Sequence, residues 1–193
     1  MADTQISRFP VADPAGAPGD VRQTIDAITA KTGFTPNVLL AYAWRPEQFR
    51  AFFGYYDTLM RGESGLSRAE RELIAVAVSA TNECLYCTVA HGAVLRVLTK
   101  RPLIADQVTA NHRHADLTPR EAALAEFAVK ATREPAEVGE ADLDALRTHG
   151  LSDADIWDAG AVAAFFNLSN RMATLMNLRP NPEFYEMGRN AAG

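Results

Sequence analysis

The stretch Glu72-Leu-Ile-Ala-Val-Ala-Val-Ser-Ala-Thr-Asn-Glu-Cys84-Leu-Tyr-Cys87-Thr-Val-Ala-His91 decides the reading of this chain. It holds both cysteines of the protein, as Cys84-Leu85-Tyr86-Cys87, and His91 follows four residues after the second. Residues three and four apart share a helix face, so the two thiols and the imidazole fall within an arc of about 60°. Asn82 and Glu83 interrupt the apolar run before them, which starts a helix at or just before Cys84. Thiols in a first helical turn meet unpaired N–H groups and the positive end of the helix dipole, and both favour the reactive thiolate. The one-turn spacing also lets the pair close a reversible disulfide. An imidazole beside them can take or return a proton.

Working outward, Ser67-Arg68-Ala69-Glu70 reads as a capping box that opens a helix running to about Thr81. Leu73 to Ala80 is apolar on nearly all sides, so this helix is expected to be buried. Glu72 lies on it, twelve residues before Cys84. If the two helices pack side by side, Glu72 sits behind His91 and Cys87, where a buried carboxylate fixes the ring and stabilises its charged form.

Glu72, Cys84, Cys87 and His91 together resemble the signature of the alkylhydroperoxidase D (AhpD) family, within the carboxymuconolactone decarboxylase superfamily. The flanking residues from about 66 to 97 fit as well, and the helical pattern from about 35 to 184 is similar to the "peroxidase-related" branch. The resemblance implies an all-α fold, assembly into homo-oligomers, and thiol-dependent peroxidase or disulfide-reductase chemistry with no metal, flavin or haem cofactor. One departure is visible. The family's active members carry a second histidine just before the second cysteine, and here that place is Tyr86.

The resemblance places the sulfenic acid on the second cysteine, and the position of His91 one turn above Cys87 agrees. Cys87 is therefore expected to attack a hydroperoxide. Cys84 serves as proton donor and resolving thiol, His91 relays protons, and Glu72 orients and polarises His91. Regeneration then needs an external dithiol reductant. Two other classes remain: a redox carrier or sensor exchanging disulfides with a partner protein, and a scaffold with an idle dithiol. Lactone decarboxylation, known in the superfamily, ranks below these, because its members are expected to lack the paired cysteines.

Composition bounds the rest. The chain has 193 residues, 48% of them apolar, a net charge of −5 and a pI near 5.4. No basic run points to nucleic acid or an anionic membrane surface. No apolar run approaches the ~20 residues of a membrane helix, and no signal segment is evident. A cytoplasmic location follows as the expectation, and there an isolated pair of cysteines reads as redox or metal chemistry.

Residues 1–18, with Pro10, Pro14 and Pro18, read as an irregular arm, either a disordered leader or a segment packed on a neighbouring subunit. Residues 19–193 read as a single helical domain. Asp20 is expected to cap a helix to about Lys31 that Gly33 ends, followed by helices from Asn37 to Trp44 and from Pro46 to Arg61. The last carries Phe49, Phe52, Phe53, Tyr55, Tyr56, Leu59 and Met60, which read as core or subunit interface rather than as a substrate wall. A short helix is expected from Pro102 to Ala110. His112 and His114 follow in a polar connection, at least twenty-one residues from His91. That spacing is too loose for a structural zinc site, and they read as solvated loop histidines.

Leu66–Thr81 aligns with Leu117–Thr132 at a constant offset of 51, with seven identities in sixteen positions. Ala123 stands opposite Glu72, and Pro135 and Val138 stand opposite the cysteines. Two helical hairpins would share a scaffold, and one would carry the chemistry. After Pro135 a short helix is expected from Glu140 to His149, with His149 set against its dipole. Ser152 then caps the longest helix, to about Asn177, and a last turn follows Pro182. Asn167, Asn170 and Arg171 form a polar stripe on that long, largely apolar helix. Such groups need partners, in loops, in a neighbouring subunit, or in an active-site wall.

Overall fold

The computed structural model describes residues 5–190. Ten α-helices and no strand occur among them. The centre is α4 (Arg68–Thr81), whose residues from Arg71 to Ser79 are all buried. Around it pack α5 (Leu85–Thr99), α6 (Ile104–Asn111), α7 (Pro119–Arg133) and the long α9 (Asp153–Met176). α1 (Gly19–Thr32), α2 (Asn37–Ala43) and α3 (Pro46–Arg61) lie on one side, with α8 (Glu140–Arg147) beyond α7 and the single turn α10 (Glu183–Glu186) against α5.

Local chemistry accounts for the boundaries. Ser67 and Glu70 form the expected capping box, and Ser152 and Asp155 form another at the start of α9. Pro46 opens α3 at its first position, and Gly33, at φ 84°, ends α1 with a left-handed cap. Asp20 does not cap α1. Pro18 occupies the cap position, and the Asp20 carboxylate instead accepts two bonds from Arg50, at 2.6 and 2.9 Å. α6 starts at Ile104, two residues later than expected, and α8 ends at Arg147, two residues short of His149.

The repeat appears in space. α4 and α7 pack together, and each opens with a capping box, Ser67 with Glu70 and Thr118 with Glu121. Each capping glutamate also holds an arginine at 2.6 Å, Arg120 on Glu70 and Arg101 on Glu121. The second arms differ: α5 has fifteen residues, whereas α7 is followed by a short 3-10 turn at Pro135–Glu137 and the eight residues of α8. Arg71, buried at the start of α4, donates to the carbonyls of Leu59, Gly62 and Leu66, and so locks the end of α3 to the helix that carries Glu72.

The described part of the arm packs on its own chain. The N–H of Arg8 donates to Met176, the N–H of Arg179 to Ile6 and the N–H of Ala12 to Leu40. Residues 1–4 of the expected arm lie outside the described residues. His112 is also not a solvated loop residue: it sits in a 3-10 turn with Nε2 at 2.8 Å from Glu126. Arg113 holds the same carboxylate and, with His112, lowers its pKa to about 2.

Candidate active site

Cys84 is the N-cap of α5, and Cys87 lies in its first turn. The turn before them is tight, with Glu83 at φ 54° and the N–H of Cys84 donating to Ser79. It sends the chain straight back along α4, which brings Glu72 and His91 together. His91 Nδ1 lies 2.7 Å from a carboxylate oxygen of Glu72, and both side chains are largely buried. Phe166 meets the imidazole edge-on at 4.5 Å. Clamped through Nδ1, the ring presents Nε2 as the atom free to exchange a proton.

The two thiols are reduced, buried and in mutual contact. Cys84 is pulled down to about 6, first by the hydrogen bond that the Cys87 thiol donates to it, against the effect of burial. The Cys87 N–H, the Thr174 hydroxyl and the nearby imidazole also favour the Cys84 thiolate. Cys87 is pushed up for the converse reason: it donates to Cys84, and it is deeply buried. One proton and one negative charge are thus shared by the pair. Their resting place is on opposite sulfurs, thiolate at Cys84 and thiol at Cys87.

Both sulfurs are held by α9. Ser169 Oγ lies 3.7 Å from Cys87 Sγ, Asn170 bonds the same sulfur, and Thr174 bonds Cys84. Asn170 is itself fixed, donating to Ser79 Oγ at 2.9 Å and accepting from Asn82 at 3.0 Å. Asn82 donates equally to Asn167, whose amide donates to Thr132, and Arg171 donates back to Asn167. The polar stripe of α9 therefore bonds the loop before the cysteines, and through Asn170 it also reaches the site. Ser169 and Thr174 were not singled out by the sequence reading. Their one signal is that of small polar residues beside Asn170 on an otherwise apolar helix.

Cys87 and His91 open together on a cavity of about 490 Å³. Its walls include Phe52, Phe53, Tyr56, Tyr86, Phe165, Phe166 and Phe184, with Ser169 beside Cys87 and Asp57 and Arg61 also on its lining. Three residues of the α3 aromatic surface thus differ from the expectation. Phe49 and Met60 are core, whereas Phe52, Phe53 and Tyr56 line the cavity on which Cys87 opens. Amphipathic spacing shows that a face is buried but not whether atoms fill the volume beside it. Tyr86 is structural: its hydroxyl accepts the N–H of Val38 at 3.2 Å, its ring meets Phe184 edge-on, and burial raises its pKa. Tyr42, packed on Phe52, has a buried hydroxyl with no partner among the described residues. No cluster of three or more metal-ligating side chains occurs among those residues, and no helix there is long and apolar enough to cross a membrane.

The carboxymuconolactone decarboxylase family profile matches residues 46–102, the span from α3 to the end of α5. A structure described as the AhpD core of a peroxidase-related protein from Ralstonia eutropha JMP134 is 53% identical over 97% of this chain and 99% of that one, with a TM-score of 0.96. A peroxidase-related protein from Silicibacter sp. TM1040 is 41% identical over 98% and 99%, with a TM-score of 0.92. The debrominase Bmp8 shares the fold, at 19% identity over 95% and 96% and a TM-score of 0.74. None of the curated proteins matches. The chain belongs to the carboxymuconolactone decarboxylase family, in its AhpD-like, peroxidase-related branch.

Proposed function

We propose that the protein is a thiol peroxidase that reduces organic hydroperoxides through Cys87 and Cys84. The observation that carries this reading is the cavity: it places Cys87 and His91 on one wall, with Glu72 behind the imidazole and Cys84 behind the sulfur. In the first step Cys87 sulfur attacks the O–O bond. An S–O bond forms, the O–O bond breaks, and the Cys87 thiol proton passes to the Cys84 thiolate. The departing alkoxide takes a proton from Nε2 of His91, which the Glu72 carboxylate on Nδ1 helps the ring to carry. The products are an alcohol and Cys87 sulfenic acid. Cys84 then attacks that sulfur, giving its proton to His91. The S–O bond breaks, the leaving hydroxide takes that proton back from His91 and departs as water, and the Cys84–Cys87 disulfide forms. An external dithiol returns the pair to the reduced state.

This assignment differs in one respect from the sequence argument, which made Cys84 the donor to the leaving oxygen. Cys84 is not on the cavity wall and His91 is, so the imidazole takes that part here. Burial also bears on the redox-carrier reading. Cys84 and Cys87 are 1% and 2% exposed. A small peroxide can reach Cys87 through the cavity, whereas a folded partner protein presenting a disulfide cannot without an opening of the site. The test is turnover of cumene hydroperoxide with dithiothreitol as electron donor, by wild type and by Cys84→Ser, Cys87→Ser and Glu72→Gln. Turnover is expected in the wild type, absent in both cysteine variants, and lower by about 10²-fold in Glu72→Gln with the fold kept. No turnover by the wild type, or a rate unaffected by Cys87→Ser, refutes the reading.

A further inference from the structure

A second cavity, of about 400 Å³, lies at the C-terminal end of α4, between α4, α6, α7 and the 3-10 turn His112–His114. It shares no wall residue with the cavity on which Cys87 opens. Its size falls within the range of small-molecule sites, about 300–1,000 Å³. Its wall carries Arg113, Arg133, His112 and His114, and no carboxylate. The chain as a whole has a net charge of −5, so this grouping runs against its average.

The chain itself does not use up these donors. Glu126, which is not on the wall, holds Arg113 at 2.6 and 3.0 Å and takes His112 Nε2 at 2.8 Å. It offsets one charge, fixes both side chains and leaves His112 Nδ1 free. Arg133 and His114 are exposed, and their side chains have no hydrogen bond or ion pair among the described residues. Asn111 Oδ1 accepts the N–H of Arg113 at 3.1 Å, so its amide nitrogen is left as a further donor. A guanidinium fork suits an oxyanion, and charge-assisted bonds of this kind are the strong ones. The rest of the wall bears on what the anion is attached to. Ala80, Val108 and Val129 bring no aromatic ring on which a base would stack. Thr81 and Thr109 donate their hydroxyl protons to the carbonyls of Ala77 and Ala105, at 2.8 and 2.7 Å, and so offer a ligand only acceptor lone pairs. Acceptors of that kind suit the hydroxyl groups of a polyol.

From this wall of unpaired donors beside hydroxyl acceptors we propose that the cavity is a second ligand site, for a small organic phosphate with a hydroxylated, non-aromatic body, of the sugar-phosphate class. Arg133, Arg113, His114 and the Asn111 amide take the phosphate oxygens, and the two threonine oxygens accept from hydroxyls of the body. The site is independent of the chemistry proposed for the thiols, and no bond of the ligand is made or broken there.

The measurement is isothermal titration calorimetry of the full chain with ribose 5-phosphate, inorganic phosphate and ribose, at about 150 mM salt so that general charge attraction is screened. The proteins compared are wild type, Arg133→Gln, Arg133→Gln combined with His114→Gln, and Arg22→Gln. All three positions are exposed, and circular dichroism checks that each variant is folded. Arg22 lies on α1 and is not on this wall, so its variant reads the effect of losing a positive charge elsewhere. Ribose 5-phosphate is expected to bind once per chain with a Kd below about 1 mM, inorganic phosphate at least about fivefold more weakly, and ribose not detectably. Arg133→Gln should weaken ribose 5-phosphate by about tenfold, and His114→Gln on top of it by about threefold more, while Arg22→Gln should leave it unchanged. No binding of ribose 5-phosphate, binding of ribose as tight as that of its phosphate, indifference to Arg133→Gln, or an equal loss in Arg22→Gln would overturn the proposal. Inorganic phosphate bound as tightly as ribose 5-phosphate would overturn the assignment of a hydroxylated body.

Discussion

At the scale of single residues, the candidate site makes two identical thiols different. Cys84 collects donors, from the Cys87 thiol and N–H and from Thr174, and Cys87 is left as the donor. The sign of the pH dependence follows. A thiol whose folded pKa is lowered to about 6 adds stability that is fully present above its ordinary value near 9 and is lost as pH falls through 6. Stability should therefore rise with pH between about 6 and 9. Cys87, shifted the other way, should reverse the trend above that window. Thiolate absorbance near 240 nm should titrate with a midpoint near 6 in the wild type and move up in Cys87→Ala, which removes the main donor. A midpoint left unmoved by that substitution would show that the shared proton is not what lowers Cys84. None of this asymmetry is legible in the sequence. There the dipole points to Cys84 and the histidine to Cys87, and Thr174, which favours the Cys84 thiolate, stands ninety residues away on another helix.

At the scale of elements, much was legible because the signals are local. The capping boxes at Ser67 and Ser152 and the Pro46 start of α3 need only a few neighbouring residues to operate. Asp20 is not the cap because the helix begins one residue before it, at Gly19 behind Pro18, and its carboxylate binds the distant Arg50 from the first turn. The end of the chain shows another nonlocal constraint. Arg96, buried on α5, donates to the carbonyls of Phe184 and Met187 and so pins α10, whose Phe184 is a wall of the cavity. Gly188 follows at φ 70°, and a Cβ there would come within 2.8 Å of Arg96 Cβ and 2.9 Å of the Val97 nitrogen. Gly188→Ala is expected to lose about 1–3 kcal/mol of stability in urea unfolding, from strain and from the displaced carbonyls. Unchanged stability would mean that α10 is not held by this contact.

At the scale of the whole molecule, α4 is the common support. It packs on α5, α6, α7 and α9, repeats its cap in α7, and carries Glu72 to the one hairpin that has thiols. The repeat and the Glu72–His91 pairing could be read from the sequence, since both depend on helix spacing and on two helices joined by a tight turn. The cavity could not, because its walls come from α1, α2, α3, α5, α9 and α10 together. In the proposed function it is the cavity that makes Cys87, the less acidic thiol, the one a peroxide meets. The most direct test of that claim is sulfenic-acid trapping, read by peptide mass spectrometry after one equivalent of cumene hydroperoxide in the presence of dimedone. Cys84→Ser, which removes the resolving thiol, is expected to carry the dimedone adduct on Cys87, and Cys87→Ser is expected to carry almost none. An adduct on Cys84 in the Cys87→Ser variant, with none on Cys87 in its counterpart, would contradict the account.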